Sequence, residues 1–168
     1  MALISTSFAA LMNLAPGPWT IVNDGVMGGR STSSAEAFGD GLRFRGHLSL
    51  ENNGGFASTR RAVDGVPPDT IAVRLDVRGD GRRYQLRLRQ DPGFNGIAWR
   101  SAFDTGEDWT EIELPLSGFE PVFRGRTVPN AGALRPEAIT QLGFMLADGQ
   151  PGDFALDVRR LTFVGRND

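Results

Sequence analysis

Short runs of alternating apolar and polar residues, separated by turn residues, dominate the chain from Trp19 onward. Side chains on a β-strand point alternately to the two faces of a sheet, so such runs predict strands with one buried face. One representative run has apolar Leu42, Phe44, Leu48 and Leu50 alternating with polar Arg43, Arg45, His47 and Ser49. We therefore expect an all-β fold of antiparallel strands, a sandwich or barrel.

The same rule predicts roughly ten strands along the chain. Besides the run at Leu42, clear runs lie at 71–77, 84–88, 97–103, 109–114, 119–123, 139–147 and 154–164. Gly79-Asp80-Gly81 is predicted to close a hairpin between the runs at 71–77 and 84–88. An Asn-Gly turn at Asn53-Gly54 is predicted to close another after the Leu42 strand.

Helical spacing is confined to two short segments. Ser7–Leu14 is predicted to form a capping helix that ends before Pro16, and Arg135–Ala138 a single helical turn. We divide the chain into an N-terminal capping segment, 1–18, and one sandwich domain, 19–168.

The composition excludes several classes of function. None of the 168 residues is cysteine, which rules out disulfides, thiolate metal sites and a cysteine nucleophile. The formal net charge is -2, so we expect no nucleic-acid partner, although all 18 basic residues are arginine. No stretch reaches membrane-spanning length, and Met1–Leu14 lacks the basic residues of a signal or transit peptide. We expect a cytoplasmic, bacterial protein.

Two clusters of glycine and amide residues stand out as candidate sites. The first follows a strand within Trp19–Ser31, where Asn23 and Asp24 precede a run of glycines. The second is Glu51–Arg60, which contains Asn52 and Asn53. Glycines permit close backbone approach and positive φ, while the amide and carboxylate oxygens either bond turn amides or face a ligand. Both the structural and the ligand-binding interpretation stay open here.

These clusters, together with Phe103-Asp104-Thr105, Leu114-Pro115-Leu116 and Arg124-Gly125-Arg126, resemble the complex I intermediate-associated protein 30 family over Trp19 to about Val164. The resemblance implies a galactose-binding-domain-like jelly roll. It also implies a role in assembling respiratory complex I, with its subunits as protein partners and with no established catalytic residues. Within the two glycine-rich clusters, the candidates for binding a ligand or partner are Asn23, Asp24, Met27, Asn52 and Asn53.

The sequence gives little support for an enzyme. His47 is the sole histidine, lies on the polar side of its strand and has no accompanying nucleophile motif. Five aspartates lie near turns but lack a spacing diagnostic of metal binding: Asp24, Asp40, Asp91, Asp148 and Asp153. We therefore expect them to lie in solvated turns, and we expect no metal and no cofactor. We therefore expect a binding protein rather than an enzyme.

A polar surface of arginines is the second candidate site. We expect Arg74, Arg87 and Arg89 to form it, joined by Arg43, Arg45 and Arg60, because the arginine fork suits carboxylates and phosphates. Trp99 either stacks on a sugar or packs in the core. The leading hypothesis is a non-catalytic assembly module that binds protein, and the alternative is a module that binds carbohydrate or another small ligand.

Overall fold

The protein is a sandwich of two antiparallel β-sheets in a computed structural model that describes residues 9–14, 18–91 and 96–166. The strands are numbered in chain order. The first sheet contains β1 (Ala9–Met12), β3 (Thr32–Phe38), β4 (Gly41–Leu48), β6 (Thr70–Gly79), β9 (Thr110–Pro115) and β13 (Gly152–Gly165). The second contains β2 (Thr20–Ile21), β5 (Ala57–Ala62), β7 (Arg83–Arg89), β8 (Ala98–Asp104), β10 (Glu120–Phe123), β11 (Arg126–Thr127) and β12 (Gln141–Leu146). The predicted all-β antiparallel fold is confirmed.

The order of strands shows how the sheets are built. The first sheet runs β3-β4-β13-β6-β9, and β1 pairs with the same long strand, β13, beyond the end of β4. The second runs β11-β10-β8-β7-β12-β5-β2. Neighbours in space are thus mostly distant in sequence, as in other sandwiches whose connections pass from sheet to sheet.

Four short 3₁₀ helices occur among the described residues: η1 (Asp24–Met27), η2 (Glu51–Asn53), η3 (Leu116–Gly118) and η4 (Pro136–Ala138). The last confirms the predicted turn at Arg135–Ala138. The predicted capping helix at Ser7–Leu14 is wrong for Ala9–Met12, which form a strand, while Ser7 and Phe8 lie outside the described residues. Pairing with β13 overrides the weak helical spacing of so short a run. The division of the chain at residue 18 stays a prediction.

Both predicted hairpins are wrong, for one reason. β6 pairs with β13 and β9, whereas β7 pairs with β8 and β12, so Gly79-Asp80-Gly81 carries the chain from one sheet to the other. The segment around Asn53-Gly54 likewise connects β4 in the first sheet to β5 in the second. Turn residues mark where a strand ends but do not determine which strand it pairs with.

The core lies between the sheets, as the alternation predicts. Leu42, Phe44 and Leu48 are fully buried, although Leu50 at the end of that run is 42% exposed. Aromatic rings of both sheets meet in the core, where the ring centroids of Tyr84 in β7 and Phe154 in β13 lie 6.4 Å apart. No helix among the described residues is long and apolar enough to cross a membrane. The two outer faces and the corners are what the fold leaves for binding.

Candidate functional site

The glycine-rich motif and the segment before β5 meet at one corner, around the carboxylate of Asp24. Asp24 is fully buried. Its oxygens accept hydrogen bonds from the Ser31 backbone N–H (2.9 Å), the Ser31 hydroxyl (2.6 Å) and the Gly55 backbone N–H (2.7 Å). We call Asn23, Asp24, Ser31, Gly55 and Ser58 the Asp24 cluster. The expectation that Asp24 lies in a solvated turn is therefore wrong.

Hydrogen bonding keeps the Asp24 carboxylate ionised despite its burial. Burial alone raises the pKa of Asp24. Hydrogen bonds from the Ser31 hydroxyl and from the backbone N–H groups of Gly55, Ser31 and Phe56 lower the pKa by more than burial raises it, so the pKa lies below its ordinary value. A carboxylate offers about four acceptor positions, and donors inside the protein occupy most of them. Asp24 is therefore an internal anchor with little capacity left for a ligand.

Asn23 extends the same network. Its side-chain oxygen accepts hydrogen bonds from the Ser58 backbone N–H (3.2 Å) and the Ser33 hydroxyl (2.9 Å). Its amide group donates to the Ser31 carbonyl at 3.4 Å. The Ser58 hydroxyl in turn donates to the Val22 carbonyl. Both polar ends of Asn23 are thus engaged within the protein.

The Asp24 cluster lies where the chain crosses twice between the sheets, from β2 to β3 and from β4 to β5. Its hydrogen bonds join these two crossings. The glycines allow the close approach, because a Cβ at Gly29 or Gly54 would collide with the Asp24 carboxylate. The contacts favour the structural interpretation of this motif.

The remaining candidates of this corner lie at its surface or outside the described part. The Asn52 side chain donates to the Gly28 carbonyl at 3.1 Å, and Asn53 is exposed. Both have left-handed backbone, with φ of 56° and 59°, which asparagine tolerates better than most residues. The side chain of Met27 lies outside the described part of the structure.

The second candidate site is a set of arginines on the outer face of the second sheet. Strand register places Arg60 opposite Gly143, Gly143 opposite Arg87, and Arg87 opposite Arg100, so these positions form one row across β5, β12, β7 and β8. Arg89 lies two residues along β7 on the same face. We call Arg60, Arg87, Arg89 and Arg100 the arginine face.

Like charges crowd this face. Burial, with repulsion from Arg89, Arg100 and Arg60, lowers the pKa of Arg87 to about 10. Burial and Arg60 likewise lower the pKa of Arg89 to about 10, against a small opposing effect of Asp91. No carboxylate of the described residues lies within ion-pair distance of Arg87 or Arg89, whereas Arg100 contacts Glu120 at 3.4 Å. The face therefore brings several guanidinium groups together, and Arg87 and Arg89 form no ion pair with a described carboxylate.

The arginines of the first sheet belong to a different surface. Arg43 and Arg78 both bind Asp157, at 2.9 Å each, and Arg45 binds Glu36 at 2.8 Å. Arg74 contacts Glu113 at 3.0 Å. The prediction that Arg74, Arg43 and Arg45 share a face with Arg87 and Arg89 is wrong, because β4 and β6 lie in one sheet and β7 in the other.

Trp99 and His47 contribute to neither surface. Trp99 is 5% exposed and packs in the core cluster, on the side of β8 opposite Arg100. The His47 ring contacts the Asp153 carboxylate at 2.9 Å, with both side chains more than half exposed. Asp148, another predicted solvated aspartate, instead forms a largely buried pair with Arg82 at 2.7 Å, so that prediction is wrong for it.

Sequence reasoning missed Arg100 and Gly143 as parts of the arginine face. Both lie on strands that were predicted, but their positions beside Arg87 depend on which strands pair. The alternation within 97–103 could have placed Arg100 on a polar face. Nothing local relates Gly143 to the arginines.

A family model for "Complex I intermediate-associated protein 30 (CIA30)" matches residues 7–158. The chain belongs to the CIA30 family. Two curated relatives are each named complex I intermediate-associated protein 30, mitochondrial. The Drosophila melanogaster protein is 28% identical over 83% of this chain and 56% of its own length, and the Mus musculus protein is 28% identical over 88% and 51%. The CIA30 chain described here thus spans about half the length of these relatives.

Solved structures similar to this CIA30 chain include carbohydrate-binding modules. The family 11 module of the cellulase Lic26A-Cel5E of Clostridium thermocellum superimposes with a TM-score of 0.71 at 17% identity, covering 98% of each chain. The family 11 module in complex with a β-1,3-1,4-mixed-linked tetrasaccharide gives 0.68 at 18% identity, covering 95% of this chain and 97% of its own. At such identity the likeness concerns the fold, a galactose-binding-like jelly roll.

Proposed function

We propose that this chain is a non-catalytic protein-binding module that assists assembly of a complex I-type respiratory enzyme, and that it binds through the arginine face. Family membership and the names of the curated relatives support the assembly role. The arginine face is the observation that carries the binding role, since no described carboxylate lies within ion-pair distance of Arg87 or Arg89. The Asp24 cluster is assigned to the scaffold.

The non-catalytic part of the proposal is supported by the surroundings of His47. Its ring pairs with an exposed carboxylate on the outer face of the first sheet, where water has free access to both groups. General acid–base catalysis needs a group positioned against a bound substrate. The exposed side chains of His47 and Asp153 on a strand face offer no enclosed position for one.

The proposal also concerns location. The relatives' names place them in mitochondria. For this chain we propose the cytoplasm of a bacterium, as the sequence predicts. Fractionation of the native host, followed by immunodetection, tests it: recovery with secreted or outer-envelope fractions would contradict this part.

Affinity capture from the native host tests the proposed function directly. The bait is the purified chain, cross-linked in cell extract, and the readout is the set of proteins identified by mass spectrometry. We expect subunits of the complex I-type enzyme with the unaltered chain, and their loss with Arg87→Gln/Arg100→Gln. The matched control is Arg45→Gln/Arg74→Gln, which removes the same charge from the other sheet.

Capture of those subunits by the control but not by the arginine-face variant supports the proposal. Equal capture by all three proteins would place the binding surface elsewhere. Absence of respiratory subunits from every bait would contradict the assembly role.

Carbohydrate binding is the second candidate function, favoured by the superposition on carbohydrate-binding modules over nearly the whole chain. Sugar rings commonly stack on exposed aromatic side chains, because such rings present a large flat apolar surface. The outward positions of β5, β7, β8 and β12 carry no aromatic residue, and Trp99 faces the core. The structure therefore favours protein over carbohydrate as the ligand.

Calorimetry with soluble oligosaccharides, including a β-1,3-1,4-mixed-linked tetrasaccharide, tests the second candidate. Saturable binding that disappears in Arg87→Gln would establish a sugar site on the arginine face. The same control, Arg45→Gln/Arg74→Gln, should leave any such binding unchanged.

A further inference from the structure

The ligand chemistry of the arginine face follows from its geometry and charge. We propose that it binds clustered carboxylates, in the form of an extended acidic segment of the protein partner. This inference rests on the proposed protein-binding role and names the chemistry by which that partner is recognised.

The spacing of the arginines suits an extended chain. Neighbouring strands lie about 4.8 Å apart, so Arg87 and Arg100, on adjacent strands, are separated by roughly that distance at the backbone. Arg60 and Arg87 have β12 between them and are separated by roughly twice as much. An extended peptide presents side chains on one side about every 7 Å. Long arginine side chains can bridge the remaining difference.

Gly143 keeps the middle of the row open. It occupies the position between Arg60 and Arg87, and a Cβ there would collide with the Thr59 carbonyl and crowd the Arg60 Cβ. The result is a shallow depression lined by Ser58, Arg60, Arg87, Arg89, Gly143 and Met145. At the position of Gly143 itself, no side chain of β12 stands between Arg60 and Arg87.

Comparison with the first sheet shows that, among the described residues, Arg87 and Arg89 lack carboxylate partners of the kind found there. There, Arg43 and Arg78 share the carboxylate of Asp157, and Arg74 pairs with Glu113. On the arginine face, the described contacts of Arg87 and Arg89 are with neutral oxygens, those of Gln85 and Gly96. Guanidinium groups bind carboxylates with paired, charge-assisted hydrogen bonds, and such bonds would replace the carboxylates that the fold does not supply.

Other polyanions are less suited to this face. The chain as a whole has a formal charge of -2, so no broad positive field attracts a nucleic-acid backbone. The outward positions of the four central strands offer no aromatic ring on which bases could stack. Isolated phosphate shares the recognition chemistry of a carboxylate, and the experiment separates the two.

Fluorescence anisotropy with labelled peptides tests the inference on the full chain. The probe is a hexaglutamate peptide, with hexaglutamine as the neutral comparison. We expect hexaglutamate to bind more tightly than hexaglutamine by tenfold or more, and Arg87→Gln/Arg100→Gln to weaken it about tenfold. Arg45→Gln/Arg74→Gln should leave it within about twofold. Binding should also weaken between 0.05 and 0.5 M salt, since screening shortens the reach of the charges.

Competition separates the possible ligands. Inorganic phosphate, single-stranded RNA and an acidic polysaccharide are added to the peptide complex in turn. Displacement by phosphate at concentrations comparable with the peptide would overturn the assignment to clustered carboxylates in favour of a single oxyanion. Tighter binding of RNA or polysaccharide than of hexaglutamate would also overturn it, as would equal loss in the two double variants.

The outcomes distinguish this inference from the proposed function. Hexaglutamate binding that depends on Arg87 and Arg100, with no respiratory subunit captured from extract, would sustain the carboxylate site and refute the assembly role. Capture of respiratory subunits that depends on the same arginines, without hexaglutamate binding, would sustain the role and refute the acidic-segment chemistry. Circular dichroism of each variant verifies that it is folded.

Discussion

The Asp24 cluster and the arginine face are both rich in polar side chains, but they satisfy those side chains in opposite ways. In the Asp24 cluster a fully buried carboxylate receives three hydrogen bonds of 2.9 Å or less from Ser31 and Gly55. On the arginine face, burial and the neighbouring like charges lower the pKa of Arg87 to about 10. The first arrangement stabilises the fold. The second is the surface that we propose for ligand binding.

The comparison also shows that the most recognisable sequence motif and the charged outer surface lie in different parts of the molecule. The motif that most clearly carries the family resemblance, Trp19–Ser31, holds two crossings of the sandwich together. The arginines of β7 have no motif at all. In this chain the conspicuous motif therefore belongs to the scaffold, and the arginine face is the better place to seek the partner.

The largest expected effect is that of Asp24→Ala. It leaves the Ser31 and Gly55 backbone N–H groups without an acceptor in a buried corner, so we expect the free energy of unfolding to fall by about 3 kcal/mol or more. Urea denaturation followed by tryptophan fluorescence measures it. Asp24→Asn, which keeps the shape, should lose less. A loss below about 1 kcal/mol would mean that the corner is not an anchor.

A second effect concerns the glycines that allow the Asp24 cluster to close. A Cβ at Gly29 would overlap the Asp24 carboxylate, so Gly29→Ala should lower the free energy of unfolding by about 1–3 kcal/mol. Gly25→Ala is the matched control, because a Cβ there meets no atom within 4 Å. Equal stability of the two variants would show that the carboxylate moves without cost.

The pH dependence should separate the two regions. The pKa of Asp24 is lower in the folded than in the unfolded chain, so its contribution to stability is present above about pH 4 and is lost as the pH falls below that value. The arginines stay charged throughout this range. Urea denaturation between pH 7 and pH 3 should therefore show a smaller acid loss in Asp24→Asn than in the unaltered chain. A parallel loss in both would assign the acid sensitivity to other carboxylates, such as Asp157.

How far the sequence predicts this molecule depends on the range of the interaction. Alternation along single strands places Leu42, Phe44 and Leu48 in the core and Arg87 and Arg89 on an outer face, and the structure agrees. That pattern needs only the two-residue period of a strand. It is local, and it also gives the all-β fold class.

Pairing between strands is where prediction from sequence fails. The turn residues at Gly79-Asp80-Gly81 suit a hairpin, yet the strands on either side belong to different sheets. The error also moved Arg74 onto the wrong face. Arg100 and Gly143 join the arginine face through pairings between β7, β8 and β12, which are set by packing across the core rather than by nearby residues. The burial of Asp24 likewise depends on Gly55, 31 residues away.

The smallest expected effect is on the arginine face itself. Arg87→Met keeps the aliphatic stem and removes a charge crowded by other arginines, so we expect the free energy of unfolding to stay unchanged or rise by up to about 1 kcal/mol. The same substitution at Arg43, which binds Asp157 at 2.9 Å on the opposite sheet, should instead lower it by about 1–2 kcal/mol. Parallel urea denaturation of the two variants makes the comparison. Equal destabilisation at both positions would mean that Arg87 stabilises the fold as Arg43 does. It would argue against a ligand-binding role for the arginine face.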